Sequence, residues 1–153
     1  MDLRSTLNLP DPNFTIPMKA DLTHLEPKIQ AEWDEQGIEA LLCPATSTPA
    51  LPLGGSEDFI LGMTYTYVWN VMHFPGGVAP VTIVRSEEQE GRTVHDRFDK
   101  KAAVADRSSR GLPIGVQVVA KPYRETTVLG ALGALERELQ GTPGYPITPT
   151  VFP

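Results

Sequence analysis

The residues of this sequence that could carry out covalent chemistry are the adjacent serines Ser108 and Ser109, with Lys100 and Lys101 upstream of them. A serine attacks a carbonyl carbon when a base takes its proton, and a lysine can be that base when burial keeps its amine neutral. The two serines stand between two arginines, in a polar segment without the glycines that would aim backbone amides at an oxyanion. We therefore predict that neither serine is catalytic, and we assign no catalytic residue to this chain.

The side chains that could bind a metal are widely spaced. His24, His73 and His95 lack the local spacing of a metal site or a partner cysteine. Cys43 is the sole cysteine and follows two leucines, so we predict a small buried side chain. Gln117 lies in an apolar run, where it is either a ligand contact or a buried amide that satisfies neighbouring backbone groups, and we favour the second. No metal or organic cofactor is predicted.

The composition of the 153-residue chain is that of a soluble globular protein, with 41% hydrophobic and 21% charged residues. A net charge of -6 argues against a nucleic-acid partner, because phosphate binding needs clustered lysine and arginine. The amino terminus has no basic stretch followed by an apolar one, and no apolar run approaches the roughly 20 residues that span a bilayer. We expect an intracellular protein, either cytoplasmic or peripheral to a membrane.

The elements that must position these residues begin after an irregular segment, residues 1–20, whose prolines interrupt any periodic pattern. From Asp21 apolar residues recur every three or four positions. This spacing predicts a helix that starts there or at Pro27 and stops at Gly37. The sequence then predicts a short buried strand over residues 38–43 and an irregular loop over residues 44–57.

A second helix is predicted over residues 57–72, where Ile60, Met63 and Tyr67 share one face by their spacing. Its β-branched and aromatic residues lower its intrinsic helix preference, so it must be held by packing. A strand is predicted over residues 78–84, where Pro80 is tolerated only at an edge or a bulge. A polar stretch over residues 85–110 follows, with one helical turn near Phe98. The last predicted elements are a strand over residues 113–120, a helix that ends near Leu139, and a proline-rich tail.

Two segments carry a family resemblance. Residues 63–81 read Met-Thr-Tyr-Thr-Tyr-Val-Trp-Asn-Val-Met-His-Phe-Pro-Gly-Gly-Val-Ala-Pro-Val, and residues 111–124 read Gly-Leu-Pro-Ile-Gly-Val-Gln-Val-Val-Ala-Lys-Pro-Tyr-Arg. Together they resemble the carboxy-terminal portion of the amidase signature family, and within it they are most similar to the fatty acid amide hydrolases. The resemblance implies that residues 21–140 are the C-terminal part of an amidase domain, between the irregular segment 1–20 and the tail 141–153.

The resemblance implies an α/β fold, namely a partial amidase-signature fold. Its three strands and three helices would form one end of the larger mixed β-sheet, flanked by helices, that these enzymes share. The family cleaves amide bonds with a serine nucleophile, a bridging serine and a lysine, carried on a part of the fold that precedes these segments. We find no counterpart of that part, so we expect no turnover from this chain alone. Open apolar faces and strand edges predict self-association or pairing with the missing part of the fold.

The resemblance also implies four substrate-binding residues. In the fatty acid amide hydrolases, the helix equivalent to residues 57–72 lines the channel that takes the acyl chain, and the matching positions here are Ile60, Met63 and Tyr67. Phe98 aligns with a bulky aromatic residue that borders the same channel. For each of the four, an ordinary core contact is the alternative. His73 departs from the family pattern, which usually has an acidic residue before Phe-Pro.

The leading hypothesis is that this chain is the acyl-channel part of an amidase that hydrolyses fatty acid amides or related carboxamides. One alternative is a general amidase or acetamidase of the same family, since Tyr67 and Trp69 could shorten a pocket as readily as line one. Another is a non-catalytic chain that binds lipids or a partner. A truncated product without a separate role is the remaining alternative.

Overall fold

The computed structural model describes residues 12–56 and 59–145 of the chain, which divides into two compact units after Ile38. The first unit contains helix α1, Pro12–Glu35. The second unit contains all of the strands described below and the remaining helices. In the described part of the chain, no helix has both the length and the apolar character needed to cross a membrane.

Helix α1 ends at Glu35, and Gly37, where the sequence predicts a stop, lies in its C-terminal cap. Gly37 has a φ of 68°, and its N–H donates to the carbonyl of Asp34 at 3.2 Å. The N–H of Ile38 donates to the carbonyl of Trp33 at 2.8 Å. These two bonds are those of a Schellman cap, which favours glycine at the position with positive φ.

The start of helix α1 was predicted wrongly, since the helix begins at Pro12 and not at Asp21 or Pro27. Residues 12–20 are therefore helical and not irregular, while residues 1–11 lie outside the described part. Proline suits the first helical position, because the N–H it lacks would have no partner there. Pro27 removes one internal hydrogen bond, yet the helix continues through it.

The second unit is built on a three-stranded antiparallel sheet with the order β1-β3-β2. The strands are β1, Ala40–Pro44, β2, Gly76–Ile83, and β3, Pro113–Ala120. The strand predicted over residues 113–120 is β3, the central strand. The buried strand predicted over residues 38–43 corresponds to β1, but none of its residues is fully buried, and Cys43 is only partly buried. The register of β2 shifts between Pro80 and Thr82, on an edge strand, which confirms the position predicted for this proline.

Three helices complete the second unit: α2, Thr64–Val71, which follows a 3-10 turn over Ile60–Met63, α3, Arg97–Arg107, and α4, Glu125–Leu139. The predicted helix over 57–72 is thus shorter and begins with a tighter turn, as its weak intrinsic preference allows. With α1, the described residues form four α-helices where three were predicted.

Helix α3 is the helix that the sequence underestimated, since it has eleven residues and not one turn. The Asp96 side chain caps it by accepting hydrogen bonds from the backbone N–H groups of Phe98 and Asp99, at 2.8 and 2.9 Å. Three of its alanines are buried, namely Ala102, Ala103 and Ala105. A cap and a short apolar stripe therefore suffice for a helix in this otherwise polar stretch.

The two faces of the sheet differ. One face, called here the α4 face, buries Val118, Ala120 and Val128 together. Gly77 also belongs to it, because it pairs with Val118 and because a Cβ added at Gly77 would lie 2.6 Å from Cδ1 of Leu132. The opposite face, called here the α2 face, carries Gln117.

Candidate functional site

Helix α2 is attached to the sheet through Thr66. Its hydroxyl oxygen lies 2.5 Å from the carbonyl oxygen of Ala45 and 2.9 Å from Oε1 of Gln117. Gln117 is 3% exposed, and it pairs with Cys43 on one side of β3 and with Val78 on the other. Gln117 is thus a buried amide that contacts protein groups, which is the interpretation favoured from the sequence.

Trp69, one turn after Thr66, makes the second attachment. Its indole forms a hydrogen bond with the Cys43 thiol. The centroid of its ring lies 5.6 Å from that of the Phe74 ring. Burial raises the pKa of Cys43, and the bond to Trp69 lowers it by a smaller amount, so that the pKa is raised overall. Thr66 and Trp69 are three residues apart, so the same side of α2 faces the sheet at both.

The apolar side chains of α2 point elsewhere. None of the residues of α2, all of which the structure describes, is fully buried. Tyr67 is 57% exposed, and Met63, just before the helix, is 39% exposed. Neither residue is therefore an ordinary core contact. Ile60 begins the 3-10 turn, three residues before Met63, which places it on the same side of that turn, but its side chain lies outside the described part.

A cavity of about 280 Å³ lies beside Met63. Its wall is formed by the loop that follows β1, from Thr46 to Ser56, together with Phe59, Gly62 and Met63. Phe59 is buried, and a Cβ added at Gly62 would overlap the Phe59 ring. The sequence did not single out Phe59. The signal that could have found it is an aromatic residue three positions before a glycine in a tight turn.

Phe98 lines a second cavity, of about 260 Å³, which shares Phe59 and Gly62 with the first. The guanidinium of Arg97 lies over the Phe98 ring, 4.8 Å from its centroid. Met63 and Phe98, predicted together as substrate-binding residues, thus border two different cavities with a common wall. Tyr67 lines neither of the cavities described here.

Arg92 holds the loop against α3. Its side chain forms an ion pair with Asp106, with a shortest distance of 2.5 Å, and donates to the carbonyl of Ser47 at 3.2 Å. The hydrogen bond that Arg92 donates to Asp106 raises the pKa of Arg92 further above its usual range. The Asp106 side chain is 14% exposed and the Arg92 side chain 30% exposed, so this ion pair is less screened by water than a fully exposed pair. The ion pair therefore fixes one side of the second cavity.

Ser108 and Ser109, the serines considered as nucleophiles, form hydrogen bonds with the last turn of α3. The hydroxyl of Ser109, which is fully buried, donates to the carbonyl of Asp106 at 2.5 Å. The hydroxyl of Ser108 lies 3.3 Å from the carbonyls of Val104 and Ala105. Both serines therefore satisfy carbonyls of the last helical turn. Among the described residues, no three His, Cys, Asp or Glu side chains come together as a metal site.

The comparisons with known proteins decide the family. The amidase family model matches residues 11–129, which is more than half of the chain. The chain belongs to the amidase family. This match confirms the family resemblance of residues 63–81 and 111–124.

The relatives include fatty-acid amide hydrolase 1 of Sus scrofa, which is 35% identical over 113 residues, and fatty acid amide hydrolase 1 of Caenorhabditis elegans, 33% identical over 111 residues. Each match covers 70% of this chain and 19% of the relative. An amidase of Gibberella moniliformis is 28% identical over 121 residues, or 79% of this chain and 20% of the relative. This amidase chain thus spans about a fifth of the length of these relatives.

The fold agrees with the family. A solved fatty acid amide hydrolase superposes with a TM-score of 0.65, at 16% sequence identity, over 86% of this chain and 24% of that structure. At this identity the likeness concerns the fold alone. The predicted fold class, an α/β partial amidase-signature fold with a sheet flanked by helices, is therefore confirmed.

Proposed function

We propose that this amidase chain forms the wall that receives the acyl group in an enzyme that hydrolyses fatty acid amides or related carboxamides. The observation that carries the proposal is the exposed side chain of Met63 in the wall of a mostly apolar cavity, with the exposed Tyr67 four residues further along the chain. An acyl chain needs no directed polar partner, and each buried methylene contributes about 0.8 kcal/mol. A cavity of about 280 Å³ is near the lower end of ligand pockets, so it suits part of an acyl chain.

In this proposal the chain has a binding role, and the nucleophile and base belong to other parts of the amidase fold. Ser108 and Ser109 support this division of roles, since their hydroxyls satisfy carbonyls of α3. We expect no amide hydrolysis by the 153 residues alone.

The experiment is a titration of this chain with fluorescent amides whose acyl groups differ in length. We expect saturable binding whose affinity increases about fourfold for each added methylene until the cavity is filled. Tyr67→Ala should weaken the binding of the longer amides. Tyr65→Ala is the matched control, because it removes the same side chain from a different side of the same helix.

Two results would contradict the proposal. Binding that is independent of acyl length would favour the general amidase or acetamidase alternative, which has a short pocket. Trp69 contacts Cys43 and Phe74, which leaves the exposed Tyr67 as the aromatic residue considered for that role. The absence of saturable binding would remove the lipid-binding role altogether.

A second role, association with another segment of an amidase or with a second copy of this chain, is favoured by the edges of the sheet. In the described part of the chain, β1 and β2 each pair with β3 on one side. Leu42 on β1 is 61% exposed and Val78 on β2 is 53% exposed. Open strand edges with apolar side chains are templates for pairing.

Light scattering coupled to size-exclusion chromatography tests this association. We expect a dimer or a larger species, and Leu42→Lys should shift it toward the monomer, because a charged residue on an edge strand opposes pairing. Leu53→Lys is the control, since Leu53 is exposed in the loop and belongs to neither strand. A wild-type monomer at all concentrations would rule out self-association.

A further inference from the structure

The hydroxyl of Thr66 lies between two oxygen atoms, the carbonyl of Ala45 at 2.5 Å and Oε1 of Gln117 at 2.9 Å. A hydroxyl has one proton, so it can donate fully to one of them. The shorter distance assigns the proton to Ala45. The contact with Gln117 is then favourable when the amide is turned so that its NH₂ group donates to the threonine oxygen. The three groups thereby form a chain of two hydrogen bonds, from Gln117 through Thr66 to Ala45.

This chain of bonds joins three parts of the molecule. Gln117 lies in the central strand, Thr66 lies in α2, and Ala45 begins the loop that lines the first cavity. The same loop is closed at its base by a hydrogen bond from the N–H of Ser47 to the carbonyl of Gly62, at 3.0 Å. Gly62 contacts Phe59 in the cavity wall. The loop is thus fixed to the sheet, through α2, close to the residues that face the cavity.

We propose that the Gln117–Thr66–Ala45 chain of hydrogen bonds positions the cavity loop and Met63 relative to the sheet, so that Thr66 and Gln117 are positioning residues for the acyl-binding wall. The inference rests on the proposed function for its effect on ligand binding. The inference about the position of the loop does not depend on whether the cavity binds an amide. The hydrogen bonds are partly buried, and Gln117 is 3% exposed, which makes them sensitive to the loss of one partner.

The test uses three variants of the full chain. Thr66→Val removes the hydroxyl and keeps the shape of the side chain, and Thr66→Ser keeps the hydroxyl. Gln117→Glu replaces the NH₂ donor by an acceptor that cannot donate to Thr66 when ionised. Thr82→Val is the matched control, because the Thr82 hydroxyl is exposed and makes one long contact, at 3.5 Å with the carbonyl of Ile83.

The first measurement is hydrogen exchange of the backbone amides in residues 45–56, without a ligand. We expect Thr66→Val and Gln117→Glu to exchange about tenfold faster at Ser47 than the wild type, as loss of a buried hydrogen bond would cause. Thr66→Ser and Thr82→Val should exchange at the wild-type rate. Unchanged exchange at Ser47 in Thr66→Val would overturn the proposal, and so would unchanged exchange in Gln117→Glu if Thr66→Val does not fold.

The second measurement is the affinity for the fluorescent long-chain amide. We expect Thr66→Val to bind it several-fold more weakly and Thr66→Ser to restore the affinity, which a general loss of stability would not explain. A wild-type chain that binds no amide, combined with faster exchange in Thr66→Val, would reject the proposed function and keep the positioning of the loop. Equal affinities of Thr66→Val and wild type would show that the loop position does not affect binding.

Discussion

The two faces of the sheet hold their helices by different interactions. On the α4 face, Val118 and Ala120 are buried against Val128, and Ala131 and Leu132 of the same helix pack against this cluster. On the α2 face, helix α2 is held by hydrogen bonds of Thr66 and Trp69. A helix attached through its polar groups keeps its apolar side chains on the surface. Helix α2 can therefore offer its apolar side chains to a ligand, whereas the side chain of Val128 in α4 is already buried against the sheet.

The largest effect that would test this comparison is expected from Val118→Asp. The change places an unpaired carboxylate among apolar side chains, and we expect it to lower the free energy of unfolding by more than about 3 kcal/mol. Urea denaturation followed by circular dichroism measures this. Val78→Asp, on the neighbouring strand and 53% exposed, should cost about 1 kcal/mol or less. Similar losses for both variants would contradict the assignment of the core to the α4 face.

Arg92→Met should cost less than Val118→Asp. It leaves the mostly buried Asp106 without its ion-pair partner and releases the Ser47 carbonyl, so we expect a loss of about 1.5–3 kcal/mol in the free energy of unfolding. The control is Arg85→Met, because the pair of Arg85 with Glu88 is exposed to water and should contribute nothing measurable. If the two arginine variants were equally stable, the polar attachments of the loop would be unimportant.

Two glycine substitutions should change the free energy of unfolding in opposite directions. Gly77→Ala brings a Cβ within 2.6 Å of Leu132 and 3.2 Å of Val128, and repacking of α4 should cost about 1–2 kcal/mol. Gly130→Ala meets nothing within 4 Å, so the better helix preference of alanine should stabilise the protein by up to about 1 kcal/mol. Thermal unfolding of both variants measures these changes. A stabilising Gly77→Ala would mean that α4 does not pack closely on the sheet.

The smallest expected effect concerns the Cys43 thiol. Because burial raises its pKa, we expect slower alkylation by iodoacetamide at neutral pH than in the urea-unfolded chain, with the difference narrowing as the pH rises. Trp69→Phe removes the hydrogen bond that lowers the pKa, so its rate at a given pH should fall further. The pH dependence of the alkylation rate measures both changes. Faster alkylation of Trp69→Phe at every pH would show that access to the thiol controls its reactivity.

The sequence predicted the α4 face better than the α2 face. Strand β3 was predicted with its observed bounds, because eight residues that are almost all apolar need burial on both sides. Gly37 marked the end of α1 and Pro80 marked the bulge, since each has a local backbone requirement. The start of α1 at Pro12 was missed because Phe14, Ile16 and Met18 alternate, a spacing that does not indicate a helix.

The candidate site was predicted only in part, for a physical reason. Met63, Tyr67 and Phe98 were identified through their family positions and spacing, and the structure places Met63 and Phe98 at cavities. The roles of Thr66 and Gln117 were not predicted as a pair, because the two residues are 51 positions apart and polar contacts over such a separation leave no periodic signal.

The position of Phe59 between the two cavities allows a ligand to be designed for an engineered form of this protein. Because its ring belongs to the walls of both cavities and lies against Gly62, truncation at this position would join the two spaces into one. In the proposed acyl-binding role, a Phe59→Ala protein would then accept a branched acyl group for which the wild-type cavities are too small, so that the variant and the branched ligand form a matched pair. Such a pair would give a chemical label for this protein among the other amidases of a cell.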